Sequence, residues 1–201
     1  MRDSGIGRVL VASLHQAIAD IIPTRLPFYE GWLSSSGLRA GTIGMAPFYA
    51  VLSFLRQEGE VYGAVMALAG EYATEWTVES MSHRHRSMLR AVPRWLRTRL
   101  VAQVARRLVR ESYQSSRCSA KVRSGMARIE IIPSIFCTVR DPVAHPLCGF
   151  YAAAFSKLWT LFDLEFGAQI VACRGVGQPS CVVQLACPDR ASGRKSQAEG
   201  S

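Results

Sequence analysis

The stretch SAKVRSGMARIEII, residues 119–132, marks the point where the chain changes from helical to strand periodicity. Before it, apolar residues recur at the three- and four-residue spacing that is typical of one face of a helix. Within it, Ile129 and Ile131 flank Glu130, and a Ser-Gly pair at 124–125 separates two runs of alternating residues. This pattern predicts a β-hairpin that follows a helical segment.

Most of the chain upstream of the hairpin carries helical patterns. The sequence predicts helices over residues 8–22, 45–57 and 60–76, and a mostly helical segment over 78–113 that Pro93 interrupts. The helix over 60–76 is rich in Gly and Ala. Small side chains let a neighbouring helix approach closely, so we expect this helix to be buried.

Downstream of the hairpin, strands and one strong helix alternate. Strands are predicted over 134–139, 168–173 and 181–187, and the helix over 147–162. The order predicts an α+β fold in which a helical N-terminal layer packs on a small antiparallel sheet. We divide the chain into an N-terminal helical lead (1–44), an α+β domain (45–187) and a disordered tail (188–201).

Composition excludes several classes of protein. The 201 residues are 49% hydrophobic, enough for a buried core, but no window offers about 18 uninterrupted apolar residues. We therefore expect no transmembrane segment, and without a signal-peptide pattern we expect a cytoplasmic protein. The sequence also lacks a phosphate-binding loop, a dinucleotide fingerprint and a Ser-centred nucleophile elbow.

Positive charge is concentrated in one segment. The net charge is +9, and nine arginines lie between Arg84 and Arg110 with no acidic residue among them. Only Trp95 interrupts the run as an aromatic residue, whereas nucleic-acid surfaces commonly interleave several. We interpret the segment as a solvated helix face and do not expect nucleic acid as a partner.

Four of the six cysteines bracket the C-terminal part of the chain. Cys137 precedes the strong helix, Cys148 opens it, and Cys173 and Cys181 close the two ends of the loop CRGVGQPSC. A helix start and the mouth of a hairpin can converge on one point, and four thiolates suit tetrahedral zinc. Inert buried thiols and redox or disulfide chemistry remain as alternatives, although a reducing compartment disfavours disulfides.

The segment LCGFYAAAFSKLW (147–159), followed by CRGVGQPSC (173–181), resembles the ending of 4-vinyl reductase (4VR) domains, which share the fold of TRAPP vesicle-tethering subunits. The stretches LHQAIADIIPTRLPFYEGWL and GTIGMAPFYAVLSFLR resemble the helical lead of such proteins, so the resemblance covers about residues 8–187. It implies a TRAPP-like 4VR domain of a standalone bacterial protein.

The resemblance also implies a set of zinc ligands. Zinc-bearing sensor members of the family use a Cys that opens the long helix, a Glu three residues before a second Cys, that Cys, and a Cys after a glycine-containing loop. Three of these positions correspond to Cys148, Cys173 and Cys181, whereas Ile170 stands at the Glu position. We expect Cys137 to replace the missing ligand of a structural zinc, with His145 or water as alternatives.

The family further implies a small hydrophobic or aromatic ligand, held between the helices and the sheet. We expect several rings to face inward, and the alternative for each is ordinary core packing. The candidate ligand-binding residues are Trp76, His83, Trp95, Phe150, Tyr151 and Trp159.

Three functions follow from these observations. The first is a non-catalytic ligand-binding, carrier or sensor module with a structural zinc. The second is a homodimeric interaction scaffold that associates through the helix over 60–76. The third is an accessory protein of tetrapyrrole vinyl reduction, as in bacteriochlorophyll synthesis; no hydride-donor site supports an enzyme.

Overall fold

The computed structural model describes residues 5–33, 44–123, 125–138 and 142–186. Over these residues the predicted α+β fold is confirmed, because a helical layer packs against a four-stranded antiparallel sheet. The predicted disordered tail, residues 188–201, and Cys187 lie outside the described residues.

The predicted helices are confirmed, with small changes at their ends. In the described parts of the chain they are α1 (Arg8–Ile21), α3 (Met45–Gln57), α4 (Glu60–Glu79), α5 (His83–Ala91), α6 (Arg94–Ser112) and α7 (Gly149–Leu161), and a short helix, α2 (Leu26–Glu30), follows α1. Pro93 caps α6 and separates it from α5, as expected for a residue that cannot donate a backbone hydrogen bond. None of these helices combines the length and the apolar character needed to span a membrane.

The sheet has the order β1-β2-β4-β3, with every pair of neighbours antiparallel. Its strands are β1 (Arg117–Arg123), β2 (Met126–Ile132), β3 (Gly167–Ala172) and β4 (Cys181–Ala186). The predicted hairpin is β1–β2, and Gly125 in its turn has a φ of 74°, a conformation that glycine adopts without strain. The predicted helix between the strand pairs is α7.

The strand predicted over 134–139 is wrong. Ile135–Cys137 forms a 3-10 turn in which all three residues are buried. A strand on the sheet surface would expose alternate residues, whereas this turn inserts three consecutive side chains into the core. Pro133, which has no backbone N–H, precedes the turn and ends β2.

The helix α4 lies at the centre of the core, between α1 and α7. Gly70 allows the α7 backbone to approach closely, since a Cβ at this position would lie 2.2 Å from the Phe150 carbonyl oxygen. The Thr74 hydroxyl donates to the Ala154 carbonyl oxygen across the same contact, at 2.9 Å. The prediction that a closely packed neighbour buries this helix is confirmed.

Candidate metal centre

Four cysteines converge at one end of the sheet. The Sγ atoms of Cys137, Cys148, Cys173 and Cys181 all lie within 4.8 Å of one another, and all four residues are buried. They come from four places in the fold: the 3-10 turn before α7, the N-cap of α7, the residue after β3 and the first residue of β4. The sequence prediction that these thiols meet is confirmed.

The sulfur separations identify the kind of arrangement. Cys137 Sγ lies 3.1 Å from Cys148 Sγ and 3.4 Å from both Cys173 Sγ and Cys181 Sγ. A disulfide bond would measure about 2.05 Å, so the four thiols are free. Sulfurs around a tetrahedral ion with metal–sulfur bonds of about 2.3 Å lie about 3.8 Å apart. A small outward movement of the thiols would therefore admit a metal ion.

Two backbone N–H groups support the sulfur cluster. The Leu147 N–H donates to Cys173 Sγ at 3.3 Å, and the Arg174 N–H donates to Cys181 Sγ at 3.4 Å. Such N–H donors stabilise negative charge on sulfur and orient the ligands of a metal. Both donors come from the segments that carry the cysteines, so the local fold holds the sulfurs in place.

Hydrogen bonding among the four thiols gives them different pKa values when no metal is bound. Hydrogen bonds from Cys137, Cys148 and Cys181, together with the Leu147 N–H, lower the pKa of the Cys173 thiol. Hydrogen bonds to Cys137, Cys173 and Cys181, together with burial, raise the pKa of the Cys148 thiol. Hydrogen bonds from Cys137 and Cys148 lower the pKa of the Cys181 thiol as well. The cluster therefore favours negative charge on Cys173 and Cys181, and a cation is required to stabilise four negative sulfurs together.

The loop between Cys173 and Cys181 is fastened to the segment before α7. Gly177 has a φ of 89°, the left-handed conformation that ends a 3-10 turn at Arg174–Val176. The Val143 N–H donates to the Gly175 carbonyl oxygen at 2.7 Å. A Cβ on Gly175 would lie 3.0 Å from Leu147 Cδ1, so the loop and this segment are in tight contact beside the sulfurs.

Ile170, at the position where the resemblance implies a glutamate ligand, is not part of the sulfur cluster. Ile170 lies on β3 opposite Val183 and packs against the core, outside the sulfur cluster. Cys137 provides the fourth sulfur, as expected. His145 is exposed and is not a member of the cluster.

The six predicted ligand-binding residues do not converge. Phe150, Tyr151 and Trp159 on α7 are fully buried, and the first two contact the Phe136 ring. Trp76 is half-buried and its ring stacks on Tyr72. The three aromatic residues of α7 therefore belong to the core, whereas Trp76 stacks on a residue that packs against it.

The two remaining candidates lie on the surface. His83 is exposed at the start of α5, and Trp95 is 62% exposed at the start of α6. The expectation that Trp95 faces inward is wrong, because its ring lies on the outer side of α6, where the Arg99 guanidinium stands 5.5 Å from the ring centroid. Neither residue is placed to contact a ligand between the helices and the sheet.

Sequence reasoning missed a cavity beside the cysteines. Its volume is about 580 Å³, and its walls are the corner between α3 and α4 and residues 143–147. Arg56 lines it and donates from Nη2 to the Phe136 carbonyl oxygen at 3.0 Å. Tyr62 lines it too, and its hydroxyl donates to the Leu147 carbonyl oxygen at 3.2 Å. No local pattern identifies such a cavity, because its walls are about 80 residues apart in the sequence.

A second cavity, of about 260 Å³, lies between α4, α5 and α6. His85 lines it together with Thr77 and apolar side chains that include Leu89. It therefore combines apolar walls with two basic side chains, His85 and Arg107.

Comparison with known proteins adds no function to this geometry. No family model matches the sequence, and no curated protein matches it. The resemblance to 4-vinyl reductase domains therefore stays a prediction, and any assignment of function has to be argued from the cysteine cluster and the cavities.

Proposed function

We propose that this protein is a non-catalytic module that binds a small hydrophobic molecule and is fastened by a structural zinc ion. The observation that carries the proposal is the buried cluster of Cys137, Cys148, Cys173 and Cys181. Four thiolates are the donor set of structural zinc sites, and four protein ligands leave no open position at which a substrate could react.

The ion would join segments that lie far apart in the sequence. Cys137 and Cys181 are 44 residues apart, and their sulfurs are 3.4 Å apart. Binding of the ion would hold the 3-10 turn, the start of α7 and the β3–β4 hairpin together, and its binding free energy would add to the stability of the fold.

The cavity of about 580 Å³ supports the ligand-binding part of the proposal. Small-molecule sites commonly have volumes of about 300–1,000 Å³ and mostly apolar walls with a few polar groups. Here the polar groups come from Arg56, Glu60, Tyr62 and His145, and the apolar wall includes Val143, Pro146 and Leu147.

Leu147 connects the cavity with the proposed zinc site. Its side chain lines the cavity, its carbonyl oxygen accepts from Tyr62, and its N–H donates to Cys173 Sγ. A ligand that displaces Leu147 would therefore disturb a hydrogen bond to a metal ligand. This connection favours a sensor or carrier over a rigid scaffold.

Elemental analysis tests the zinc site. Protein purified without added metal should contain about one zinc per chain, and the Cys137→Ser and Cys173→Ser variants should lose it. Cys118→Ser is the matched control, since Cys118 is a half-buried free thiol on β1 outside the cluster. A metal-free wild-type protein that is fully folded would contradict the proposal, and iron in place of zinc would change the identity of the ion.

Native mass spectrometry of protein from its own host tests the ligand. We expect a co-purified apolar molecule in the wild-type protein and its loss in Gly63→Phe, because Gly63 lines the cavity with open space around its Cα. Gly63→Ser is the matched control, because it changes the same residue to a small side chain and should keep the ligand. Undiminished ligand in Gly63→Phe would show that the molecule binds elsewhere.

The homodimer and the accessory role in tetrapyrrole vinyl reduction stay predictions. The small residues Gly70 and Ala73 of α4 are buried inside the chain, and Gly70 contacts α7. The small residues that α4 leaves exposed for a second copy are Gly63 and Ala64 near its start.

A further inference from the structure

The strand β1 has a free outer edge. It is the first strand in the sheet order β1-β2-β4-β3, and no strand of the described residues pairs with its outer side. Its backbone N–H and C=O groups on that side can therefore accept another strand.

Arginines of α6 border this edge on the helical side. Arg99, Arg106 and Arg110 recur at the seven- and four-residue spacing that places them on one stripe of the helix. Arg99 and Arg106 line a groove of about 220 Å³ together with Ala120 and Val122 of β1. The positive charges of Arg106 and Arg110 oppose the rise in the pKa of Cys118 that burial causes, consistent with their position beside β1.

A second basic row borders the edge on the opposite face of the sheet. Arg117, Lys121 and Arg123 are exposed on the same face of β1, with Ser119 between the first two. Lys121 stands directly opposite Arg128 of β2, and like charges in this cross-strand position destabilise a sheet. An anion placed near them would remove this repulsion.

These positive charges are not neutralised within the described residues. None of the seven basic side chains on the two rows and β2 takes part in an ion pair there. Glu130 is the acidic neighbour on β2, where it accepts from Ser180. The edge is therefore strongly and locally positive.

Protection of the sheet against aggregation does not explain this arrangement. Charged residues on an edge strand prevent unwanted strand pairing, but the opposite edge strand, β3, has the sequence GAQIVA and carries no charge. The arginines of α6 also lie outside the edge strand itself. A function in binding accounts for both observations.

We propose that the free edge of β1 binds an acidic, extended segment of a partner protein by addition of a strand to the sheet. Side chains of an added strand point alternately to the two faces of the sheet. One set would meet Arg99 and Arg106 above the groove, and the other would meet Lys121 and Arg123. Strand addition would thus use backbone hydrogen bonds for affinity and the two basic rows for selection of acidic sequences.

The dimensions of the two rows agree with this arrangement. From Arg99 to Arg110 the helix advances about 16 Å, and from Arg117 to Arg123 the strand advances about 20 Å. One short strand could therefore contact both rows. Single-stranded nucleic acid is less well matched, because β1, β2, β3 and β4 contain no aromatic residue on which bases could stack.

Fluorescence anisotropy with a labelled peptide tests the proposal. The probe is a peptide of about ten alternating glutamate and threonine residues, used with the full chain. We expect binding that weakens as salt increases, and a loss of affinity of about fivefold in Arg99→Gln/Arg106→Gln and in Lys121→Gln/Arg123→Gln. The control with the same change in charge is Arg25→Gln/Arg84→Gln, at two exposed sites on other elements, and should bind as the wild type does.

Two further probes distinguish strand addition from general attraction between charges. Two peptides are methylated on alternate backbone nitrogens, one at the odd and one at the even positions. Each keeps its charge but loses the N–H donors along one edge of the strand it would form. We expect one of the two methylated peptides to lose binding, because only one edge of the added strand would pair with β1. Equal binding of both methylated peptides would overturn strand addition, and tighter binding of single-stranded DNA of equal charge would overturn the choice of a protein partner.

Discussion

Replacement of Gly70 by alanine is expected to force α4 and α7 apart. The added Cβ would lie 2.2 Å from the Phe150 carbonyl oxygen and 3.0 Å from the Ala154 nitrogen, whereas ordinary contact begins at 3.4 Å. Both obstacles are backbone atoms of a helix, which cannot rotate away as a side chain would. The α7 backbone would have to retreat by about 1 Å, with a loss of contacts along the helix pair.

The expected change in the free energy of unfolding follows from two opposing effects. Overpacking against backbone should cost about 3 kcal/mol, and the better helix propensity of alanine should recover about 1 kcal/mol. Gly63 on the same helix offers a matched control, since a Cβ there meets nothing within 4 Å. Gly63→Ala should therefore stabilise the protein by about 1 kcal/mol, and the two variants should differ by about 3 kcal/mol.

Urea denaturation followed by circular dichroism measures this difference. Both variants should be compared with the wild type at equal metal content, and the slope of the free energy against urea should stay constant. If Gly70→Ala proved as stable as Gly63→Ala, the close approach of α4 and α7 would be refuted.

Three other perturbations should have measurable effects. Removal of the metal by a strong chelator should lower the unfolding temperature, because the four cysteines would then hold no cation; an unchanged melting curve with zinc absent would show that the ion is not structural. Tyr62→Phe should lower the free energy of unfolding by about 1 kcal/mol and speed the loss of zinc to a chelator, because the Leu147 carbonyl oxygen loses the hydrogen bond from the Tyr62 hydroxyl. Tyr49→Phe, at an exposed hydroxyl, should change neither the stability nor the rate of zinc loss. Arg97→Gln should lower the free energy of unfolding by about 2 kcal/mol, since the largely buried guanidinium of Arg97 donates to three backbone carbonyl oxygens. Arg107→Gln removes an exposed ion pair and should lower it by less than about 0.5 kcal/mol. Chemical denaturation of both variants checks this contrast.

Much of the helix and strand pattern could be predicted because it depends on local periodicity. The hairpin at β1–β2 needed only alternation and the glycine at position 125. The 3-10 turn at Ile135–Cys137 could not be predicted, because a short apolar run is compatible with a buried strand and with a buried turn. Whether this run forms a strand or a turn depends on the residues that Phe136 contacts across the core.

The cysteine cluster could be predicted, and the ligand site could not. Cys148 and the two cysteines of the hairpin loop lie at ends of elements, so the topology brings them together. Trp95 was misjudged although a signal existed, since at 100° per residue it lies about 160° from the centre of the apolar row Leu96, Leu100, Val104 and Leu108. The cavity at Leu147 depends on tertiary packing alone.

The order of the strands has a consequence for the synthesis of the protein on the ribosome. β4 is the last strand along the described chain but lies between β2 and β3, and its first residue is Cys181. Until this strand emerges, β3 has no partner and the fourth sulfur is missing. The C-terminal half therefore completes its sheet and its metal centre in a single late step. A chain that stops before Cys181 should expose an unpaired β2–β3 gap and three thiols to chaperones and proteases.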